Sequence, residues 1–138
     1  MAVWQERAEL LFKEEGLEKL KNSNVLIVGL GGVGSFAAEF IARAGVGKMT
    51  IVDGDTVDIT NINRQLPALH STVGQNKVDL VGDRLMDINP ELQLTRINEF
   101  LSPERTHEIV TTDFDYVLDC IDSVTPKVNL IIAAKRKK

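Results

Sequence analysis

Two groups of residues in this chain have types and spacings that could do chemistry. The first is Gly29-x-Gly31-x-x-Gly34, followed 19 residues later by Asp53. Glycines so spaced permit a tight turn, let backbone approach a phosphate and let a helix pack close to a strand. An acid at that distance accepts hydrogen bonds from ribose hydroxyls. The second group is the run Asp53-Gly54-Asp55-Thr56-Val57-Asp58-Ile59-Thr60-Asn61-Ile62-Asn63-Arg64-Gln65, with Lys77 beyond it and Asp119-Cys120-Ile121-Asp122 further on. Cations and amides beside a glycine turn suit a triphosphate better than a nicotinamide. Attack on an α-phosphate builds charge on the phosphoryl oxygens and the leaving pyrophosphate, which Arg, Lys and Mg2+ stabilise. Mg2+ takes one or two carboxylates plus phosphate oxygens, and Asp122 is the candidate ligand.

These residues need a scaffold, and the apolar pattern supplies one. Val25-Leu26-Ile27-Val28 runs straight into the glycines and reads as a buried strand. Ala37, Phe40, Ile41 and Ala44 recur at helical spacing after them, predicting a helix that faces the sheet. That helix aims free N–H groups and its positive dipole end at an anion. Met49-Thr50-Ile51-Val52 is a second strand ending in Asp53. Residues 54–76 form a polar loop too long for an ordinary strand-to-helix connection, which marks it as functional. Val78, Val81, Leu85 and Ile88 predict a helix over 75–88, ended by Asn89-Pro90. Leu92, Leu94 and Ile97 suggest a third strand, Ser102-Pro103 starts a short helix, and Phe114 to Leu118 is a fourth strand. A last helix begins at Thr125-Pro126 and ends in Lys135-Arg136-Lys137-Lys138, read as a solvated helix end. Before all of these, Leu10, Leu11, Leu17 and Leu20 among charges predict an amphipathic helix over 4–21.

Alternating strands and helices imply a Rossmann-like, doubly wound α/β fold with a mainly parallel sheet and helices on both faces. The expected strand order is 3-2-1-4, with the ligand where the order reverses. The chain stops on a helix after strand four, where a complete doubly wound sheet would continue. The expectation is a single nucleotide-binding domain over 1–138 that is the N-terminal part of a longer protein. Its 138 residues suffice for one core, and 43% hydrophobic with 26% charged content is ordinary for a soluble globular chain. A net charge of −4 carries no global nucleic-acid signature. One cysteine, Cys120, excludes an intramolecular disulfide and a Cys-rich zinc site within the chain. No long apolar run or signal-peptide core is present, so the cytoplasm is the expected compartment.

Taken together, Gly29-x-Gly31-Gly32-Val33-Gly34-Ser35, Asp53-x-Asp55, Asn61-x-Asn63-Arg64-Gln65, Lys77 and Asp119-x-x-Asp122 resemble the ThiF/MoeB/E1-like adenylating enzymes. These activate a carboxylate with ATP as an acyl-adenylate. The resemblance covers nearly the whole chain and keeps both order and spacing. It implies that Gly31 and Gly32 lie under the phosphates and that Asp53 holds the ribose, with Gly29, Gly34, Ser35 and Asp55 completing the nucleotide site. It further implies that Asn61, Arg64, Gln65 and Lys77 handle the triphosphate and that Asp122 binds the metal. In such dimers an arginine before the first strand reaches the partner's ATP, and Arg7 is its counterpart by approximate position. A homodimer is therefore expected, although no isolated dimer stripe stands out. Within the family, Trp4-Gln5-Glu6-Arg7, Asn63-Arg64-Gln65-Leu66-Pro67-Ala68-Leu69, Asp87-Ile88-Asn89-Pro90-Glu91 and Asp122-Ser123-Val124-Thr125-Pro126-Lys127 are most similar to the tRNA threonylcarbamoyladenosine dehydratase branch. That branch implies a tRNA substrate whose carboxylate is adenylated before a ring closes with loss of water.

Other readings stay open at this level. Adenylation of the C-terminus of a sulfur-carrier or ubiquitin-like protein would use the same residues and a sulfur-relay partner. A nicotinamide oxidoreductase is the default for a bare glycine fingerprint, and a non-catalytic nucleotide module needs only the first group. Asp119 reads as a loop or helix-cap acid, Cys120 as a buried inert thiol, and His70 and His107 as surface or helix residues.

Overall fold

The computed structural model describes residues 2–122 and 124–137. Ser123 of the Asp122–Lys127 run and Lys138 of the basic end lie outside them. Four strands, β1 (Asn24–Val28), β2 (Lys48–Val52), β3 (Gln93–Ile97) and β4 (Tyr116–Asp119), form one sheet. All are parallel, in the order β3-β2-β1-β4 that the pattern predicts. The fourth strand starts two residues later than its apolar run suggests.

Helices cover both faces. Alternate β1 side chains split between two cores, as period-two geometry requires. Val25 and Ile27 join Met49, Ile51, Ala38, Ala42, Val81 and Leu85 under α2 (Gly34–Ala44) and α3 (Lys77–Ile88). Leu26 and Val28 join Val52, Ile109, Leu130 and Ala133 under α4 (Pro103–Ile109) and α5 (Val124–Arg136). Ser102 starts α4 as expected, its side chain accepting the Arg105 N–H with proline in the first turn.

Two predicted faces differ from the observed ones. On α2 the buried residues are Gly34, Ser35, Ala38, Glu39 and Ala42, and Ile41 packs against the core as expected, whereas Phe40 is 63% exposed. The glycine turn brings the start of α2 so close to the sheet that Gly34 and the alanines Ala38 and Ala42 seat directly on it. Phe36 and Phe40 pack together outside, ring centroids 6.4 Å apart. With exposed Val33 they form an outward apolar stripe, the feature the sequence pattern did not reveal. The N-terminal helix α1 (Glu6–Lys21) is interrupted at Lys13 (φ 61°, ψ 171°). Leu17 beyond the break is buried, but Leu10 and Leu11 before it are exposed.

Glu39 is buried between α2 and α3, where its carboxylate accepts from Arg84 Nε and, at 3.3 Å, from Arg43 Nε. The Arg84 hydrogen bond holds its pKa below the ordinary glutamate value, against the effect of burial. A depressed carboxylate adds stability above its unfolded pKa and loses it as pH falls through the lower folded value. Glu39→Gln should therefore lower stability by about 1 kcal/mol at neutral pH, both arginines being half exposed. Urea titrations should show the gap to the parent closing as pH drops below about 4.3. A gap independent of pH would mean that shape, not charge, sets the role of Glu39.

Candidate functional site

Parallel register brings three loops out at one edge of the sheet. Val28 pairs with Val52 on one side and with Asp119 on the other. Gly29 N–H donates to Val52 O, Asp53 N–H to Ile97 O and Cys120 N–H to Val28 O. The glycine turn, the Asp53 loop and the Asp122 loop thus share one mouth at the point where strand order reverses, the usual ligand position in such sheets.

The glycines divide the work between them. Gly29 has φ 97°, a turn that L side chains resist, and the Cys120 carbonyl lies against it. A Cβ on Gly34 would overlap the Gly29 carbonyl oxygen, so Gly34 is there for the helix-to-strand approach. Gly31 and Gly32 instead border the mouth. The place a Gly31 Cβ would take is 3.5 Å from Gln65 Nε2 and 3.8 Å from Asp122 Oδ2. That of Gly32 is 3.6 Å from Arg64 Cγ. No side chain caps α2 there; the Ser35 N–H donates to Gly31 O, and the helix start otherwise faces the same space as Arg64, Gln65 and Asp122.

The long loop reaches the glycines because it is stapled shut. Thr56 bridges Asn76, Val57 N–H donates to Gln75 O, Gly74 N–H to Val57 O and Lys77 N–H to Asp55 O. Val57 and Ala68 in this loop are buried. Asp58 and Asn61 cap the single helical turn Ile59–Asn63: Asn61 Oδ1 accepts the Asp58 N–H at 2.9 Å, and Asp58 accepts from Thr60. The Thr60 hydroxyl holds the Asp58 pKa below its ordinary value. Arg64 follows this turn and is exposed, one Nη bound to Asn63 Oδ1 at 2.9 Å and to Thr60 O. Gln65 is buried, and its Oε1 finds no partner among the described residues. Ser35, fully buried, donates to Gly31 O at 2.5 Å and accepts the Leu66 N–H at 3.4 Å, joining helix, turn and loop.

Asp53 is already engaged. Its Oδ2 accepts the Leu30 N–H and its Oδ1 the Asp55 N–H, each at 2.7 Å. It organises the turn and the loop, and each oxygen keeps a lone pair for a ribose hydroxyl. Asp55 Oδ2 meets Lys77 Nζ at 3.3 Å, and Lys77 is buried, so a single carboxylate partners a shielded ammonium. Asp119 ends β4 and accepts from Lys127, and Asp122 stands beyond it, exposed. Burial pushes the Cys120 thiol up, with the Asp119 charge adding to the effect, which fits an inert group rather than a nucleophile.

Arg7 is not brought to this mouth. Gln5, just ahead of it, lies against Gly45, and Trp4 shares a cavity with Arg43, Arg84, Asp87 and Ile88. That is the far end of α2, about 16 Å along the helix from the glycine turn. Two relations escaped the sequence reading: the Asp55–Lys77 pair, whose members are 22 positions apart, and the Asp119–Lys127 pair. A strand-end acid with a lysine one or two turns into the next helix is the only signal for the second.

The family model described as ThiF matches residues 5–138. The chain belongs to the ThiF family. Across 125 residues it is 52% identical to tRNA threonylcarbamoyladenosine dehydratase of Bacillus subtilis (strain 168), covering 91% of this chain and 49% of that protein. It is 43% identical over 119 residues to molybdopterin-synthase adenylyltransferase of Escherichia coli (strain K12), covering 86% of this chain and 47% of the relative. The crystal structure of E. coli tRNA N6-threonylcarbamoyladenosine dehydratase, TcdA, in complex with ATP superposes with a TM-score of 0.93 at 38% identity. The match covers 99% of this chain and 57% of that one. This ThiF-family chain thus spans about half the length of the relatives it matches, and none of these three is named as a nicotinamide oxidoreductase.

The glycine roles are separable by substitution. Gly31→Ala adds a methyl at ordinary contact distances, so the fold should keep its stability within about 1 kcal/mol while ATP binding falls. Gly34→Ala should cost about 3 kcal/mol or more through steric overlap. Denaturant midpoints and ATP calorimetry on both variants decide it; unchanged ATP affinity in Gly31→Ala would remove the phosphate from that position.

Proposed function

We propose that the protein activates a carboxylate with ATP by adenylation, and that this carboxylate belongs to threonylcarbamoyladenosine in tRNA. The observation carrying the reading is the convergence of Arg64, Gln65 and Asp122 over Gly31 and Gly32 at the uncapped start of α2. A cation and an amide beside the helix start suit the larger charge of a triphosphate better than the single diphosphate of a nicotinamide dinucleotide. The similarity to dehydratases of that name, and to a TcdA structure holding ATP, supports both the nucleotide and the substrate.

In this scheme the helix start holds the phosphates, and Asp53 orients the ribose. A substrate carboxylate oxygen attacks the α-phosphorus, and the bond to the bridging oxygen of pyrophosphate breaks. Arg64 and Lys77 meet the charge that develops, with Lys77 exchanging its Asp55 contact for phosphate. An internal nucleophile of the modified nucleoside then displaces AMP, closing a ring. The carboxylate oxygen departs on AMP, so the net change in the nucleoside is loss of water. Asn61 would act through its Nδ2 as a donor, since its Oδ1 is committed to the cap.

The donor set fits Mg2+ held together with nucleotide. No three His, Cys, Asp or Glu side chains converge among the described residues, so the chain offers no cage of its own. One exposed carboxylate beside a polyphosphate is a usual Mg2+ arrangement, and Asp122 would hold the ion. When bound, it neutralises phosphate charge. The outward stripe Val33, Phe36 and Phe40 supports a homodimer, in which Arg7 serves the partner's site rather than its own. The cytoplasm is the proposed compartment; no described helix is long and apolar enough to cross a membrane. The likeness to the adenylyltransferase favours a second reading, in which the carboxylate is the C-terminus of a sulfur-carrier protein.

ATP–pyrophosphate exchange by the full-length protein should require threonylcarbamoyladenosine-containing tRNA; exchange driven by a small carrier protein instead would select the second reading. Arg64→Ala and Lys77→Ala should each lower kcat by about 100-fold with ATP affinity changed only a few-fold, the mark of transition-state contacts. Equal losses in binding and turnover would show uniform binding. Residues 1–138 alone should bind ATP and turn over poorly, and robust turnover by them would contradict an incomplete sheet.

A further inference from the structure

The Asp119 carboxylate is held at both oxygens. Oδ1 accepts the Ile121 N–H at 3.1 Å and Oδ2 accepts from Lys127 Nζ at 2.7 Å. Lys127 lies on the opening turns of α5, so the pair ties the strand end to the helix across the loop that carries Asp122. The base of that loop is fixed to β1 by the Val28–Asp119 register and the Cys120 N–H to Val28 O hydrogen bond at 3.0 Å. The side chains are 21% and 38% exposed, and the contact is short, so the pair is more than a floppy surface bridge.

We propose that Lys127 is a positioning residue: through Asp119 it sets the strand-to-helix loop so that the Asp122 carboxylate stays over Gly31, where it meets a divalent cation carried in with the nucleotide. The proposal rests on the assignment of Asp122 to that cation. The ammonium of Lys127 is committed to Asp119, and its effect on the reaction passes through the loop. Groups that orient a metal ligand from behind carry about 10- to 100-fold in metal affinity in other proteins.

The test uses the full-length protein, Mn2+ as the probe ion and α,β-methylene-ATP, which cannot release pyrophosphate. Calorimetry gives the analogue's Kd with and without Mn2+, and the ratio is the metal's enhancement. Lys127→Met should cut this enhancement by about ten-fold and leave the metal-free Kd within about two-fold of the parent. Lys127→Arg should restore it, and thermal melts should show the variants folded. Asp119→Asn should match Lys127→Met, and the double variant should lose no more than either alone. An unchanged enhancement in Lys127→Met overturns the proposal. So does a weakened metal-free Kd, which would make Lys127 a direct phosphate contact. Asp122→Asn separates the two levels. If it leaves the enhancement intact, the metal assignment fails and the proposal with it. If it abolishes the enhancement while Lys127→Met does not, the positioning alone is wrong.

Discussion

The close approach of α2 to β1 at Gly34 and Gly29 is the contact on which the rest of this structure depends. No side chain fits between that helix start and the Gly29 carbonyl. The approach seats Ala38 and Ala42 on the sheet and points the uncapped N–H groups into the mouth. It also decides the outer surface, because large side chains excluded from beneath α2 must go outside. Phe36, Phe40 and Val33 are the result, an apolar stripe on a helix whose inner face is lined by small residues. Glu39, clamped by Arg43 and Arg84, holds the far half of the helix against α3.

The polar loop solves a separate problem. A 23-residue connection without internal order would have no reason to place Arg64 over Gly32. Backbone hydrogen bonds from Val57, Gly74 and Lys77 close it into a small lobe, and Ser35 pins that lobe to the glycine turn. The price of this order is that several polar side chains act on the scaffold first. Asp53 braces Leu30 and Asp55, Asn61 caps a helical turn, and Ser35 never meets solvent. A ligand acid and a turn cap are not alternatives at Asp53, since a carboxylate has enough lone pairs for both.

Two lysines of the flanking helices are each paired with a carboxylate at a strand end or in the loop beyond it. Lys77 is shielded from solvent against the exposed Asp55, and Lys127 is held by Asp119. A buried ammonium needs a partner at all times, and a polyphosphate is the kind of group that can replace a single carboxylate.

What the sequence determined by itself was the local grammar: the strand running into three spaced glycines, the acid 19 residues on, the strand order, and the cluster of Arg64, Gln65 and Lys77 after it. Such features are set by residue type and near-neighbour spacing, which a linear reading preserves. The tertiary structure alone decided which side of α2 faces in, that Leu10 and Leu11 stay exposed, and that Arg7 lies at the wrong end of the helix for its own site. It also decided the pairing of Lys77 with Asp55 and of Lys127 with Asp119. Burial and partnership depend on what stands opposite in space. Helical spacing alone could not show that Ala38 and Ala42 are the residues seated on the sheet, so Phe40 was assigned to the core on a pattern that the close packing overrules.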